Sequence, residues 1–418
     1  MTDTVASSAD LDAVLASIFL SPEGKADPYP GYATVREATA LHHSAFGVGV
    51  ATRYEDCQAL LRDNRLGRGE NSIDASIFGL SDTEFEERFP QRNALDNSML
   101  GMDPPDHTRL RALVAKAFTP KTVKALEPQI QRIADDLLGP LEGDVDVMPA
   151  IALKLPITVI GEMLGVPQAD HATLLPHIKV VIRSLATFEP NLQDFSEIYD
   201  ASIVIGDYFR ALADRKRADP GEDMFTELIH AEEEGDKLSE DELIATVILL
   251  FVAGYETTTN LIGNGLRAFL LHPAELQRVR DDRSLLKGAI EEILRYDSPV
   301  QLTGRRVLTE GVELNGEPLE VGTELITLLG AANRDPRVYD EPDRFDVGRP
   351  GPSPLSFSAG IHFCLGAALA RAEGHIVLDS LLERYPSIEP AWSDDEPPKY
   401  RDSLVLRGLE GLPVRLTR

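Results

Sequence analysis

The segment FSAGIHFCLGAALARAEGHIVL places one of only two cysteines, Cys364, between Gly360 and Gly366 at the entrance to a helical stretch. A metal-binding thiolate needs its negative charge stabilised, and the backbone N–H groups of a helix N-terminus supply that. Flanking glycines let the backbone approach a flat macrocycle. Iron bound through sulfur is the chemistry this pattern suits, with His362 as a competing nitrogen ligand. The plain alternative for a lone cysteine is a buried thiol that behaves as a small hydrophobe. It applies to Cys57, which sits in the amphipathic pattern RYEDCQALLRDN without a neighbouring glycine.

A second constellation lies in LIATVILLFVAGYETTTNLIGNGLRAFLL. Ser239 and Glu242 form a capping box ahead of it and His272-Pro273 ends it, which predicts a helix of roughly 30 residues. A helix so apolar on every side belongs in an interior. Within it, Ala253 and Gly254 precede Glu256 and Thr257: the glycine opens a groove for a small molecule such as dioxygen, and an acid beside a hydroxyl can relay protons. Taken singly, Glu256 reads as a surface carboxylate and Thr257 as a hydroxyl bonded to its own helix. The apolar setting favours function, because a buried carboxylate is costly without a partner or a task. The downstream Gly263-Asn264-Gly265 imitates a dinucleotide-binding pattern, but it falls in mid-helix, where close helix packing explains the glycines.

Glu292 and Arg295 are three apart and share a helix face in AIEEILRYDSPV, and His107 and Arg111 are four apart in DPPDHTRLR. An exposed Glu/Arg pair is worth only about 0–1 kcal/mol, so the spacing alone assigns no role.

Taken together, these residues resemble the cytochrome P-450 family, in its soluble bacterial branch. Phe357, Gly360, His362, Cys364 and Gly366 fill every fixed position of that family's haem loop, and AGYETT resembles its oxygen-activation motif. The resemblance implies Cys364 as the metal ligand, with Ala253, Gly254, Phe357, Gly360 and Gly366 close to haem b. It implies Glu256 and Thr257 as the proton-handling pair, and His107, Arg111, His362 and Arg306 as propionate contacts. Arg305 is adjacent to Arg306 and points to the opposite face of a strand, so that choice rests on register. Glu292 and Arg295, with Arg349 at the end of AANRDPRVYDEPDRFDVGR, resemble the structural triad that holds the haem loop. Two departures are mild: glutamate stands at 256 where aspartate is also common, and Tyr255 is bulky beside the groove.

The implied activity is monooxygenation of a lipophilic small molecule such as a terpenoid, steroid, fatty acid or macrolide. The implied partners are dioxygen, a ferredoxin and its reductase. Arg109 and Arg371 are candidates for a basic patch toward an acidic partner, with ordinary solvated arginines as the plain alternative. Substrate contacts are expected from Leu250, Val300, Gln301 and Leu302 and from the segments around 70–100 and 175–200. A peroxide-using haem enzyme of the same fold is the nearest rival, disfavoured by the Glu256/Thr257 relay, and a non-catalytic haem sensor is the other.

Bulk properties agree with that reading. The 418 residues are 43% hydrophobic and 26% charged, an ordinary globular composition. The formal net charge of -28 repels nucleic-acid phosphates. No stretch reaches the ~20 apolar residues of a membrane span, no signal-peptide pattern opens the chain, and two cysteines form no evident disulfide framework. A cytoplasmic monomer is expected. With no linker-like tract or repeat, residues 1–418 are expected to form a single large domain, mainly α with small β-sheets, around a long central helix. Helix predominates from about 104 to 298, and after Pro299 strand-like pieces follow, with an Asn315-Gly316 hairpin turn.

Overall fold

A computed structural model describes residues 7–69, 75–90, 98–184, 191–233 and 238–418. Its contacts group into two compact units that interleave along the chain. Met1–Gly67, Val123–Leu155 and Thr257–Arg418 form the first, and Arg68–Thr122 and Pro156–Glu256 form the second. Such interleaving leaves no linker to be seen in the sequence.

The first unit holds the sheets. Five strands run in the order Leu41–His43, Val48–Ala51, Glu324–Leu328, Leu302–Val307, Leu66–Gly67, with Val48–Ala51 parallel to Glu324–Leu328 and the other pairs antiparallel. Alternation along these strands sends Leu325, Val307 and Leu66 into one core with Tyr54, Leu60, Leu61 and Leu355. The predicted hairpin joins Val312–Leu314 to Glu317–Leu319, with Asn315 at φ 53° and Gly316 at φ 82°. Two positive φ values in succession suit Asn-Gly. Helix Ala367–Arg384 lies against Leu286–Tyr296 in the same unit.

One strand was not expected. Gly143–Asp146 lies inside the region read as helical, and it pairs antiparallel with Pro413–Thr417. Its partner comes from the far end of the chain, so no local pattern announces it.

The second unit is helical. Helix His171–Ser184 lies along Leu192–Ala218, which also packs on Met224–Glu233. Phe209 meets Phe225 and Phe251 there at ring-centroid distances of 6.2 and 5.8 Å.

The central helix, Glu240–Leu271, runs for 32 residues. Its start is the predicted capping box: Ser239 N–H donates to Glu242 Oε2 at 2.8 Å and Glu242 N–H to Ser239 Oγ at 3.2 Å. His272 follows the last turn and Pro273 opens the next helix. By length and composition the helix could cross a bilayer, but 72% of its most apolar window is buried inside the fold. It is a core helix.

Candidate active site

Cys364 is exposed, three residues ahead of the first residue of Ala367–Arg384, and its backbone N–H donates to Phe357 O at 2.9 Å. That bond closes the loop on itself. Gly360 has a φ of 69°, and a side chain there would overlap Leu61 O and the backbone of Arg62. Only glycine satisfies both constraints. Phe357 is buried under the Arg371 guanidinium, 4.4 Å from ring centroid to Cζ. Cys57 is fully buried and its thiol donates to Ala51 O at 3.3 Å; burial pushes its pKa far up, so it stays a neutral thiol.

The predicted triad forms. Arg295 Nε donates to Glu292 Oε2 at 2.7 Å and its Nη2 to Oε1 at 2.8 Å, while Arg349 Nε reaches Oε1 at 3.1 Å. Asp346 N–H adds a bond to Oε1 at 2.8 Å. Arg295 also donates to Asn333 O, Pro342 O and Arg344 O at 3.0, 2.7 and 3.1 Å. From there two residues that sequence reasoning missed carry the connection onward. Fully buried Asn333 donates from Nδ2 to Ser356 Oγ at 2.8 Å and accepts Leu355 N–H at 2.7 Å, and Ser356 Oγ donates to Leu294 O at 2.6 Å. The triad is thereby joined to the residues just before Phe357. Asn333 stands in the AANRDP stretch, whose place in the meander was the only available signal.

On the central helix, Leu249 and Thr257 are half-buried and Ala253 is exposed, at i, i+4 and i+8 on one face. Leu250, three residues before Ala253 and seven before Thr257, lies on the same side and is 8% exposed, with half-buried Leu249 next to it. Gly254 is half-buried, and a Cβ there would lie 3.2 Å from Ile160 Cγ1, so the missing side chain admits a neighbouring helix on that side. Tyr255 is 1% exposed on the opposite side of the helix, away from the open face, and does not crowd it. Glu256 is buried beside Thr257.

His107 is buried and Arg111 half-buried on helix Asp106–Ala115, in the second unit. In the first, His362 is half-buried in the cysteine loop. The register of Leu302–Val307 puts the two arginines on opposite faces: half-buried Arg306 shares the face of Leu302 and pairs with Glu324 at 2.5 Å, whereas Arg305, 5% exposed, shares the face of Val307 and donates to Gly304 O at 2.8 Å. Val300 and Leu302 are half-buried, while Gln301 is 2% exposed with Nε2 donating to Ser298 O at 2.7 Å and a buried Oε1 that has no hydrogen-bond partner among the described residues. Arg109 is paired with Glu242, and Arg371 with Glu291 at 2.5 and 3.0 Å. Neither stands as a free cation for a partner. Of the expected substrate segments, 70–74, 91–97 and 185–190 lie outside the described residues. Between them Phe78, Phe85, Phe89 and Phe195 form an aromatic cluster with centroid spacings of 4.9–5.9 Å.

The model of the cytochrome P450 family matches residues 210–411. Cytochrome P450 107B1 of Saccharopolyspora erythraea is 44% identical over 370 residues, covering 87% of this chain and 88% of that protein. The chain is a cytochrome P450. The vitamin D(3) 25-hydroxylase of Pseudonocardia autotrophica is 36% identical over 93% of this P450 and 94% of its own length. Among solved structures, Mycobacterium smegmatis CYP164A2 with econazole bound superposes with a TM-score of 0.88 at 35% identity, covering 97% of this chain and 100% of that one. Myxobacterial CYP267B1 in complex with myristic acid gives 0.84 at 39% identity, covering 96% and 99%. As a P450 monooxygenase, this chain is an oxidoreductase that works with a haem iron.

The cysteine loop suits that group. The exposed thiol sits beside Phe363, itself 43% exposed, and among the described residues nothing lies within 4 Å of where a Cβ on Gly366 would be. A soft sulfur donor on an open, apolar face is what a flat, iron-centred ligand requires.

A further ionisable group of this P450 lies on the helix after the loop. Glu373 is 2% exposed, its Oε2 has no hydrogen-bond partner among the described residues, and burial raises its carboxyl well above the ordinary range. The folded chain therefore keeps a proton that the unfolded chain releases. This group's contribution is complete below the unfolded pKa and declines as pH rises, at up to about 1.4 kcal/mol per pH unit. Glu373→Gln is expected to stabilise the protein more at pH 8 than at pH 5, read as melting temperature. An offset equal at both pH values would contradict the buried neutral acid.

Proposed function

We propose that this P450 inserts one oxygen atom of dioxygen into an apolar C–H or C=C bond of a lipophilic small molecule, using haem b ligated by Cys364. The observation that carries the reading is the presentation of Cys364: an exposed thiol at a helix entrance, on a loop tied back through Ser356 and Asn333 to the Glu292/Arg295/Arg349 triad. The haem iron supplies the redox chemistry, in which two electrons and two protons accompany dioxygen and water is the second product.

The chain's own residues have three tasks. The triad fixes the loop, and Phe357, Gly360 and Gly366 shape its approach to the macrocycle. His107, Arg111, His362 and Arg306 hold the propionates, Arg306 lying on the same strand face as Leu302. Glu256 and Thr257 deliver protons where dioxygen is reduced, from a helix face whose apolar neighbours Leu249 and Ala253 limit water.

Substrate contact falls to Leu250, with Leu249 and Ala253 beside it, and to Val300 and Leu302. The relatives named for vitamin D(3) hydroxylation and solved with myristic acid support a steroid-like or fatty-acyl substrate class. A separate ferredoxin with its reductase supplies electrons, and the two units work as one cytoplasmic, monomeric P450 domain.

The deciding test is the optical spectrum of the reduced, carbon monoxide-bound protein: a thiolate-type band is expected, and a histidine-type band would refute Cys364 ligation. For the relay, Thr257→Ala is expected to lower dioxygen-dependent product formation by about 10²-fold while reductant is still consumed. Intact turnover in that variant would instead favour the peroxide-using reading.

A further inference from the structure

The Gly263-Asn264-Gly265 stretch does more than permit close packing. Its glycines are accounted for, since a Cβ on Gly263 would lie 2.6 Å from Met148 Sδ and one on Gly265 2.9 Å from Ile293 Cδ1. Asn264 is not. It is fully buried and its Nδ2 donates to Arg407 O at 3.0 Å and Asp297 O at 3.2 Å. About one turn to either side, Asn260 Oδ1 accepts from Arg401, and Arg267 Nη1 donates to Tyr400 OH at 3.0 Å. Three polar side chains thus grip one short segment, 400–407.

Their positions continue a pattern already described. Residues 260, 264 and 267 extend the stripe that carries Leu249, Ala253 and Thr257, and Asn260 follows Thr257 by three residues, or about 4.5 Å of helix rise. One helix face is open and apolar in its first half and a polar rail in its second.

The gripped segment is an irregular hairpin, with Arg401 N–H donating to Gly408 O and Glu410 N–H to Lys399 O, both at 2.9 Å. Its tip docks on the chain before Leu302: Arg407 N–H donates to Pro299 O at 2.9 Å and Gln301 N–H to Val405 O at 2.8 Å. Asp297 clasps the base, accepting from Arg407 Nε and from Tyr400 OH at 2.5 Å each and from Tyr29 OH at 3.0 Å. Apolar contact alone would let a tip of Leu404, Val405 and Leu406 slide, whereas hydrogen bonds are directional and fix one depth.

We propose that Asn260, Asn264 and Arg267, with Asp297, are positioning residues that set the depth of a substrate wall formed by the half-buried Val300, Leu302 and, at the hairpin tip, Val405. This rests on the haem-thiolate reading of the site. Because the rail and Thr257 share one helix, the wall is held at a fixed offset from the proton-handling hydroxyl, and that offset selects which part of a bound molecule is presented.

The test compares two azoles that differ in reach. Econazole is large enough to touch the wall, and imidazole alone is not; both are titrated optically against the holoprotein and its Asn264→Ala and Arg267→Lys variants. The rail predicts econazole binding weakened about tenfold with imidazole unchanged and the reduced carbon monoxide band intact. Equal weakening of both azoles, or of neither, overturns the proposal. Should Asn264→Ala fail to fold, Arg267→Lys and Tyr400→Phe at the half-buried end of the rail give the same comparison. Absence of a thiolate band from the unsubstituted protein would overturn the haem-thiolate reading itself, a result separate from failure of the rail.

Discussion

Cys364→Ala is expected to fold and yet to lose both the thiolate-type band of the reduced, carbon monoxide-bound protein and all dioxygen-dependent turnover. Folding should survive because Cys364 is exposed and its structural bond, to Phe357 O, runs through backbone N–H and is kept by alanine. Function should not, since no other thiol can substitute: Cys57 is sealed in the first unit's core as a neutral thiol. His362 sits two residues away, so iron captured by that imidazole would show a histidine-type band in place of the thiolate one. An unaltered spectrum in Cys364→Ala would end the assignment, and circular dichroism on the same sample checks that the fold is retained.

The second large effect concerns stability. Arg295 is 2% exposed and makes five hydrogen bonds, two to Glu292 and three to backbone carbonyls. Arg295→Ala strips those carbonyls and leaves Glu292 buried with Arg349 as its remaining cation. Breaking a buried pair from one side typically costs about 3–5 kcal/mol, a large share of a typical protein's stability. Most of the variant should therefore appear insoluble or without haem, and the soluble remainder should unfold at markedly lower urea concentration. Arg295→Lys keeps the charge but loses the planar fork, so it should fall between. A midpoint for Arg295→Ala within about 1 kcal/mol of the parent would show that the triad is dispensable.

How far the sequence went can be judged from these same residues. The cysteine loop, the capped central helix and the triad were legible because each depends on residue type at a fixed spacing along one segment. Choices decided by a single step of register were not. Which of Arg305 and Arg306 shares a face with Leu302 follows from which side of the strand meets the core, and adjacent positions point to different sides. Asn333 and Ser356 escaped for another reason: a buried amide or hydroxyl acquires its role from partners 22 and 62 residues away. The pairing of Arg371 with Glu291 likewise spans 80 residues, so the basic patch it was meant to offer could not be tested by composition. Asp297, at the end of the helix that bears Glu292 and Arg295, has no local signal of its role, because its partners Tyr29, Tyr400 and Arg407 lie 268, 103 and 110 residues away.

The stripe along Glu240–Leu271 also bears on how this protein can change. A substitution at Leu249 or Ala253 alters one surface and leaves the polar rail intact. A single residue inserted between Thr257 and Asn260 would rotate everything beyond it by about 100°, turning Asn260, Asn264 and Arg267 away from the hairpin all at once. Variation in this helix is therefore expected by exchange and not by length, while the exposed stretch 393–397, ahead of the hairpin, can lengthen or shorten at the cost of one local turn, whose bond runs from Glu396 N–H to Ser393 O. The reading frame of one helix, counted in residues, sets which parts of the molecule are free to diverge.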